Sequence, residues 1–307
     1  VFPALGTVVA EAKRSEYRGD LPPSVVLTRP KGRFSEVGFL GVNAAPLVTG
    51  CNPNAQRFAV DGIVPPEGLS AQRVKERFEL LNELDLWSSE DRANASMAAA
   101  FDNAGVEARR IAEGDAAKVF ALDNESASVR DAYGRNSVAQ SLLTARRLVE
   151  YGVPYVTVNL SGWDSHKRHF ETMKRKSLEL DMALATLLKD LKSKGLLDST
   201  IVWMGGEFGR TPKIGWEAPW NGGRNHYATC FSALVAGGGF KGGCVVGKSD
   251  ETASKPVERP VSPQDFIGSI YERCGIDPEG LLPNNVGKKL PILPPSTGEG
   301  RLKEIYA

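Results

Sequence analysis

Three short segments in the second half of this chain carry the residue types that metal-assisted chemistry needs. They are Gly162–Trp163–Asp164–Ser165–His166, Gly205–Gly206–Glu207–Phe208–Gly209–Arg210–Thr211–Pro212 and Gly222–Gly223–Arg224–Asn225–His226. Carboxylate oxygen and imidazole nitrogen suit zinc, iron or manganese, and zinc needs only about four ligands. Asp164 and His166 are two apart, so an extended backbone turns both to one side. With Glu207 and His226 they form a candidate divalent metal site, zinc being the first choice. Each residue also has a plainer reading: Asp164 capping a turn, His166 as a surface imidazole, Glu207 paired with Arg210. His169 is a competing ligand, with a solvent-facing or outer-sphere role as its alternative. Arg210 and Arg224 are candidate anion clamps, because a guanidinium fork matches phosphate or sulfate oxygens. Taken together the residues point to hydrolysis of phosphate or sulfate esters. Trp163, Trp216 and Trp220 are candidates to line a pocket, whereas Trp203 is expected in the core.

The elements that would position these groups alternate. Ser24–Thr28 reads as a strand, followed by a long irregular stretch over 29–66. Val74, Phe78, Leu81 and Leu84 predict a helix from Ser70 to about Leu86, and alanine-rich helical segments follow at 92–112 and 115–122. Ser137–Glu150 is a clearer helix, with Val138, Leu142, Ala145 and Val149 as its stripe and Arg146 off it. Tyr155–Leu160, Thr200–Met204 and Phe231–Ala236 are apolar runs expected as buried strands. A helix over 172–194 separates the first two, its stripe being Leu178, Met182, Ala185, Leu188 and Leu191. Ser262 and Pro263 mark a further helix start as N-cap and first helical residue. The polar segments then fall at the carboxyl ends of strands, where open parallel sheets bind ligands. Residues 276–307 are proline-rich and read as a surface tail.

Composition excludes several other classes. A net charge of +1 gives no field for nucleic acid or an anionic membrane. No apolar run of 18 residues is present to span a bilayer. The amino terminus carries no basic segment ahead of its apolar residues and is not a signal peptide. The four cysteines show no zinc-ribbon spacing. Cys230 and Cys244 read as free thiols, a hairpin disulfide being the alternative. GGGFKGG lacks the order of a nucleotide-binding loop, and no G-x-S-x-G elbow occurs.

The segments ARRLVEYGVPYVTVNLSGWDSHKRHF, LLKDLKSKGLLDSTIVWMGGEFGRTPKI, GGRNHY and SALVAGGGFKGGCVVGKSD closely resemble the DUF1501 family, a bacterial group related to the alkaline phosphatase and sulfatase superfamily. SVVLT, ERFELLNELD and VRDAYGRNS resemble its middle region. The resemblance covers the chain from about Pro22 to the end and implies one alkaline phosphatase-like α/β domain. That domain would be a three-layer sandwich with a mostly parallel central sheet and a metal centre at its carboxyl edge. Asp164 and His166 resemble ligands of one metal, Glu207 an acidic ligand after a central strand, and His226 the late histidine. Phe208 stands where the superfamily usually has histidine. The family's early Gly-rich GGPSQ-type segment, source of the superfamily's first metal acid and nucleophile, is missing. The chain is therefore expected to be an N-terminally truncated fragment or an inactive member. The family's Tat-type export implies a periplasmic or secreted location. Two functions follow as expectations: a metal-dependent ester hydrolase in the complete protein, or a non-catalytic exported module binding metal or a sulfated glycan.

Overall fold

Burial is most complete at Ser24–Leu27 (β1), where all four residues are buried. This strand is the centre of a small parallel sheet, flanked by Leu47–Val48 (β2) and Tyr155–Val158 (β3) in the order β2-β1-β3. The computed structural model describes residues 2–28, 35–56, 58–63, 68–88, 105–106, 109–111, 114–283 and 290–307. It divides into two compact units, Val1–Asn159 and Leu160–Ala307. No helix among the described residues is long and apolar enough to cross a membrane.

In the first unit the Ser137–Glu150 helix forms at the expected residues. The Asn136 side chain accepts from the Ala139 N–H at 2.9 Å and so satisfies one of the helix's orphan donors. Leu148 joins Leu21, Val25, Leu27, Val60, Ile63 and Phe120 in one core. The buried face is wider than the expected stripe and includes Arg146, which is only 2% exposed. An arginine tolerates that burial because carboxylates meet it: Glu125 at 2.8 Å and Glu150 at 2.5 Å. Glu125 also accepts from Arg147. Most of the 92–112 prediction lies outside the described residues; Ala116–Phe120 is a short helix as expected.

Among its described residues the second unit contains the long helix His169–Ser193, the helix Pro263–Arg273 and four two-stranded antiparallel sheets. The strands are Val202–Met204 (β4), Gly209–Arg210 (β5), His226–Tyr227 (β6), Leu234–Ala236 (β7), Lys248–Ser249 (β8), Pro256–Glu258 (β9), Leu281–Leu282 (β10) and Leu290–Pro291 (β11). They pair as β4–β7, β5–β6, β8–β9 and β10–β11. Ser262 caps its helix in a full capping box with Asp265, and Pro263 follows it. Far from forming a loose tail, the carboxyl end packs: Leu302 and Ile305 are buried with Phe240.

The three-layer alkaline phosphatase-like sandwich is therefore not the fold. Helix outweighs strand, and the sheets are small, mostly antiparallel and unclosed. All three apolar runs do contain strands, but β3 pairs parallel with β1 while β4 pairs antiparallel with β7. The runs look alike in sequence because periodicity reports burial and not the partner. Trp203 in β4 is 38% exposed and Leu234 in β7 is 37% exposed. A strand with an open face suits an antiparallel pair; a parallel sheet is covered on both sides. Trp203 is thus a partly exposed residue with an edge contact to Phe266, not a core residue. In the 169–193 helix the buried row is Leu180, Ala183, Leu187 and Leu191, while Leu178 and Met182 are exposed. Both rows repeat at threes and fours, so spacing alone could not choose between them.

The Glu125 cluster yields a stability prediction. Burial pushes the Glu125 carboxyl up, but hydrogen bonds from Arg147 and Arg146 outweigh it and hold the carboxyl below its ordinary value. Glu125→Gln should lower stability at neutral pH by about 2–3 kcal/mol, the scale of hydrogen bonds to charged groups. A depressed folded pKa gives stability that is full above the unfolded value, 4.5, and is lost as pH falls through the folded one. Urea denaturation of both proteins should therefore converge as pH drops below that value. A gap that stays constant into strong acid would refute this assignment.

Candidate metal centre

Residues 161–168 run without regular structure into the helix that begins at His169. Arg168 takes a left-handed backbone, φ 47°, which ends this run. From there Arg168 N–H donates to the Trp220 carbonyl at 2.9 Å, and His169 N–H to the Gly222 carbonyl at 3.3 Å. These bonds dock the loop that leads to His226. The loop is closed on itself by reciprocal Gly215 and Gly223 backbone bonds, each 3.0 Å. At Gly223 the approach is closest. A Cβ there would lie 2.3 Å from the His166 carbonyl oxygen and 3.0 Å from Trp220 Cβ, so only glycine fits.

The next stretch is held by the β5–β6 pair, with Arg210 opposite His226. Thr211 brackets Asn225: its N–H donates to the Asn225 carbonyl at 2.9 Å, and its Oγ1 accepts from the Asn225 N–H at 3.1 Å. Arg224 Nε donates to the Thr211 carbonyl at 2.7 Å, and Nη2 to the Arg210 carbonyl at 3.2 Å. Arg224 thus ties the two strands' ends together.

Asp164, His166 and His226 converge as a result, each offering one ligand atom, all within 4.8 Å of one another. Asp164 Oδ1 lies 2.8 Å from His226 Nε2 and 3.1 Å from His166 Nε2. The two Nε2 atoms are 3.2 Å apart. A tetrahedral zinc with ordinary bond lengths separates its ligand atoms by about 3.3 Å. The separations of these three donors therefore approach the edge lengths of such a polyhedron. His166 Nδ1 faces Asn225 Oδ1 at 3.2 Å, the outer contact that ligating histidines usually make. Phe208 packs its ring on His226, centroids 4.2 Å apart.

Charge at the site centres on Asp164. Its Oδ1 accepts from Arg210 Nη2 at 2.6 Å. Hydrogen bonds from Arg210 and then His226 push its pKa down to about 2. The carboxylate is therefore anionic at any pH the protein meets in neutral solution. Arg210 Nη2 also reaches the Trp163 carbonyl at 3.2 Å. Both predicted anion clamps thus have partners within the chain, and Arg210 pairs with Asp164, where Glu207 was expected. Glu207 is exposed and outside the group of three. His169 is buried and also outside it. Its Nδ1 meets Ser165 Oγ at 2.8 Å, and burial lowers its pKa, so it is a neutral brace behind the ligand segment. All four cysteines are free. Asn225 and Thr211 were not singled out from sequence. Their only signal was adjacency, Asn225 to His226 and Thr211 to Arg210.

The chain matches the family described as proteins of unknown function, DUF1501, over residues 1–297. It belongs to the DUF1501 family. No curated protein and no solved structure matches it. The family assignment accordingly brings no residue roles, and the roles in this DUF1501 chain rest on the geometry above.

That geometry makes Gly223 a specific test. Gly223→Ala should cost about 1–3 kcal/mol, the usual effect of overpacking, because the new methyl meets backbone that cannot swing aside. It should also separate His226 from His166 and reduce metal uptake. Denaturation curves and metal titration on the same sample measure both. Unchanged stability together with unchanged uptake would show that the loop does not need this contact.

Proposed function

We propose that Asp164, His166 and His226 bind one divalent transition metal, zinc first, and that the loaded centre hydrolyses a phosphate or sulfate ester. The observation that carries the reading is the trio of donor atoms at 2.8, 3.1 and 3.2 Å separations. When bound, such an ion polarises ester oxygens and acidifies its water. Asp164 supplies the negative charge, held ionised by Arg210. His166 and His226 supply neutral nitrogen donors. Side-chain exposures of 62%, 36% and 47% leave the trio open to an incoming ligand. Three protein ligands with an accessible face are the pattern of catalytic zinc; structural sites are closed by four. Support for hydrolysis comes from this donor set alone, since the fold is not that of the phosphatase superfamily.

A second reading has its own observation. The hydrogen bonds of Arg210 and Arg224 run to groups of this chain, which removes the expected clamps for a sulfuryl or phosphoryl group. Trp216, 66% exposed, stacks on Phe170 with ring centroids 5.9 Å apart. An exposed flat pair of this kind is suited to a ring-bearing ligand. On this reading the centre is a metal-dependent binding module for an anionic or sulfated glycan.

Metal analysis of the purified protein separates the readings in order. We expect about one zinc per chain by mass spectrometry of the metal, lost on substituting alanine at Asp164, His166 or His226, and retained in Glu207→Gln. No uptake by the wild-type chain, or loss in the Glu207 variant alone, would overturn the three-ligand assignment. Aryl phosphate and aryl sulfate assays of the zinc-loaded chain then test hydrolysis. Turnover abolished by His226→Ala supports the enzyme; zinc-dependent retention of a sulfated glycan without product supports the module.

A further inference from the structure

We propose that Phe170 and Trp216 form a stacking platform for an anionic saccharide, one whose pyranose rings carry sulfate or carboxylate groups. The ligand class rests on the glycan reading above, but no metal is needed, because neither residue belongs to the donor trio. The two rings are parallel within 9°, with centroids 5.9 Å apart. A vertical sandwich would bring them to about 3.5–4 Å, so they are displaced sideways and each leaves part of a face open. Phe170 is 46% exposed and Trp216 is 66% exposed. Together they offer a flat surface wider than one ring, and its negative face attracts the weakly positive C–H groups of a pyranose. The backbone holds this surface in place. A Cβ at Gly222 would meet Phe170 Cδ2 at 3.3 Å and Trp216 Cζ3 at 3.4 Å, so the bare glycine packs against both rings. Its N–H donates to the Gly215 carbonyl at 2.9 Å, and its carbonyl accepts from the His169 N–H at 3.3 Å. The platform is therefore seated before a ligand arrives, which lowers the cost of ordering it on binding.

Charge selects the ligand. Residues 161–176 and 210–226, which carry the platform and its loop, hold eight Lys or Arg against three Asp or Glu, while the whole chain has 38 against 37. Two of the three acids are engaged, Asp164 by Arg210 at 2.6 Å and Glu171 by Arg168 at 2.6 Å. The third is Glu217, next to Trp216. Lys174 is exposed four residues beyond Phe170 in the same helix, which puts the two on one side of it. Lys213 is exposed three residues before Trp216. Lys167 Nζ lies 5.7 Å from the centre of the Trp220 ring. Both elements that build the platform thus carry exposed ammonium groups. A neutral sugar would use the rings alone and a small anion the cations alone; a sulfated or uronate saccharide uses both. Single-stranded nucleic acid stacks successive bases on a series of rings along a basic groove, whereas this surface is one pair.

The test titrates the full chain, kept metal-free with chelator, with a heparin hexasaccharide, followed by calorimetry and tryptophan fluorescence. We expect binding that weakens as salt rises, and weaker binding of maltohexaose, which has the rings without the charge. Trp216→Ala should weaken hexasaccharide binding about 5–10-fold, the scale of one aromatic contact, and Trp216→Phe should keep most of the affinity. Lys174→Ala combined with Lys213→Ala should weaken binding and flatten its salt dependence. Thermal unfolding of each variant checks that the fold persists, as expected where only exposed side chains change. No binding, or unchanged affinity in Trp216→Ala, overturns the proposal. Inorganic polyphosphate or a thymidine hexanucleotide bound as tightly as the hexasaccharide overturns it too, since the surface would then answer to charge or to bases. Binding that appears only with zinc overturns the platform and leaves the metal-dependent module standing. Binding without zinc, in a chain that takes up no zinc, ends the metal reading and leaves the platform standing.

Discussion

The site depends on a backbone-to-backbone approach, that of Gly223 to the carbonyl of His166. Asp164 and His166 lie on an irregular run before the long helix, and His226 lies sixty residues later on a short strand. Neither element could bring the two histidine rings together without the intervening loop lying flat on the ligand segment. The absence of a side chain at Gly223 permits that, and the donations from Arg168 and His169 N–H groups to the loop's carbonyls secure it. Since those N–H groups lie at the start of a helix, where no intrahelical acceptor exists, the docking also satisfies donors that the helix itself cannot. One contact thus closes the helix end and assembles the site.

Electrostatics reinforces this arrangement through a single oxygen. Asp164 Oδ1 faces Arg210 and both imidazoles. Arg210 belongs to the short strand that pairs with the strand of His226, so the ion pair spans the same gap as the docked loop. Being only 15% exposed, its guanidinium is held where its charge is poorly screened. The consequence is a carboxylate that stays ionised and stays aimed. Arg210 sets the charge and direction of Asp164, a partner that sequence spacing could not reveal.

Local features of the fold were legible and pairings were not. The 137–150 helix, the Ser262 cap and all three apolar strands can be read from caps, spacing and β-branched runs, which are local signals. The sheet arrangement cannot, because strand partners are chosen by contacts far apart in sequence. β3 joins β1 in one unit while β4 joins β7 in the other. Arg146 shows the same limit at a single residue. Its position off the apolar stripe argued for solvent, yet Glu125, twenty-one residues earlier, makes burial tolerable. At the site, Asp164, His166 and His226 were legible from type and glycine context. Glu207 has the same type and context but stands outside the group, since β5 begins two residues beyond it and turns Arg210 toward Asp164. Asn225 escaped notice because an amide signals nothing until the ring it faces is known.

The donor trio stands on a scaffold other than the expected parallel sheet. The expectation of a phosphatase-like sheet and the expectation of a metal site came from the same segments, but only the second survives in the geometry. Chemistry belongs to the arrangement of groups and can be carried by unrelated folds. What this arrangement supplies is one carboxylate, two imidazoles and a partly exposed face. A closed structural centre would bury its ligands and complete four of them from the chain. Here the trio is accessible, and Phe170 and Trp216 form an exposed stacked pair in the same unit.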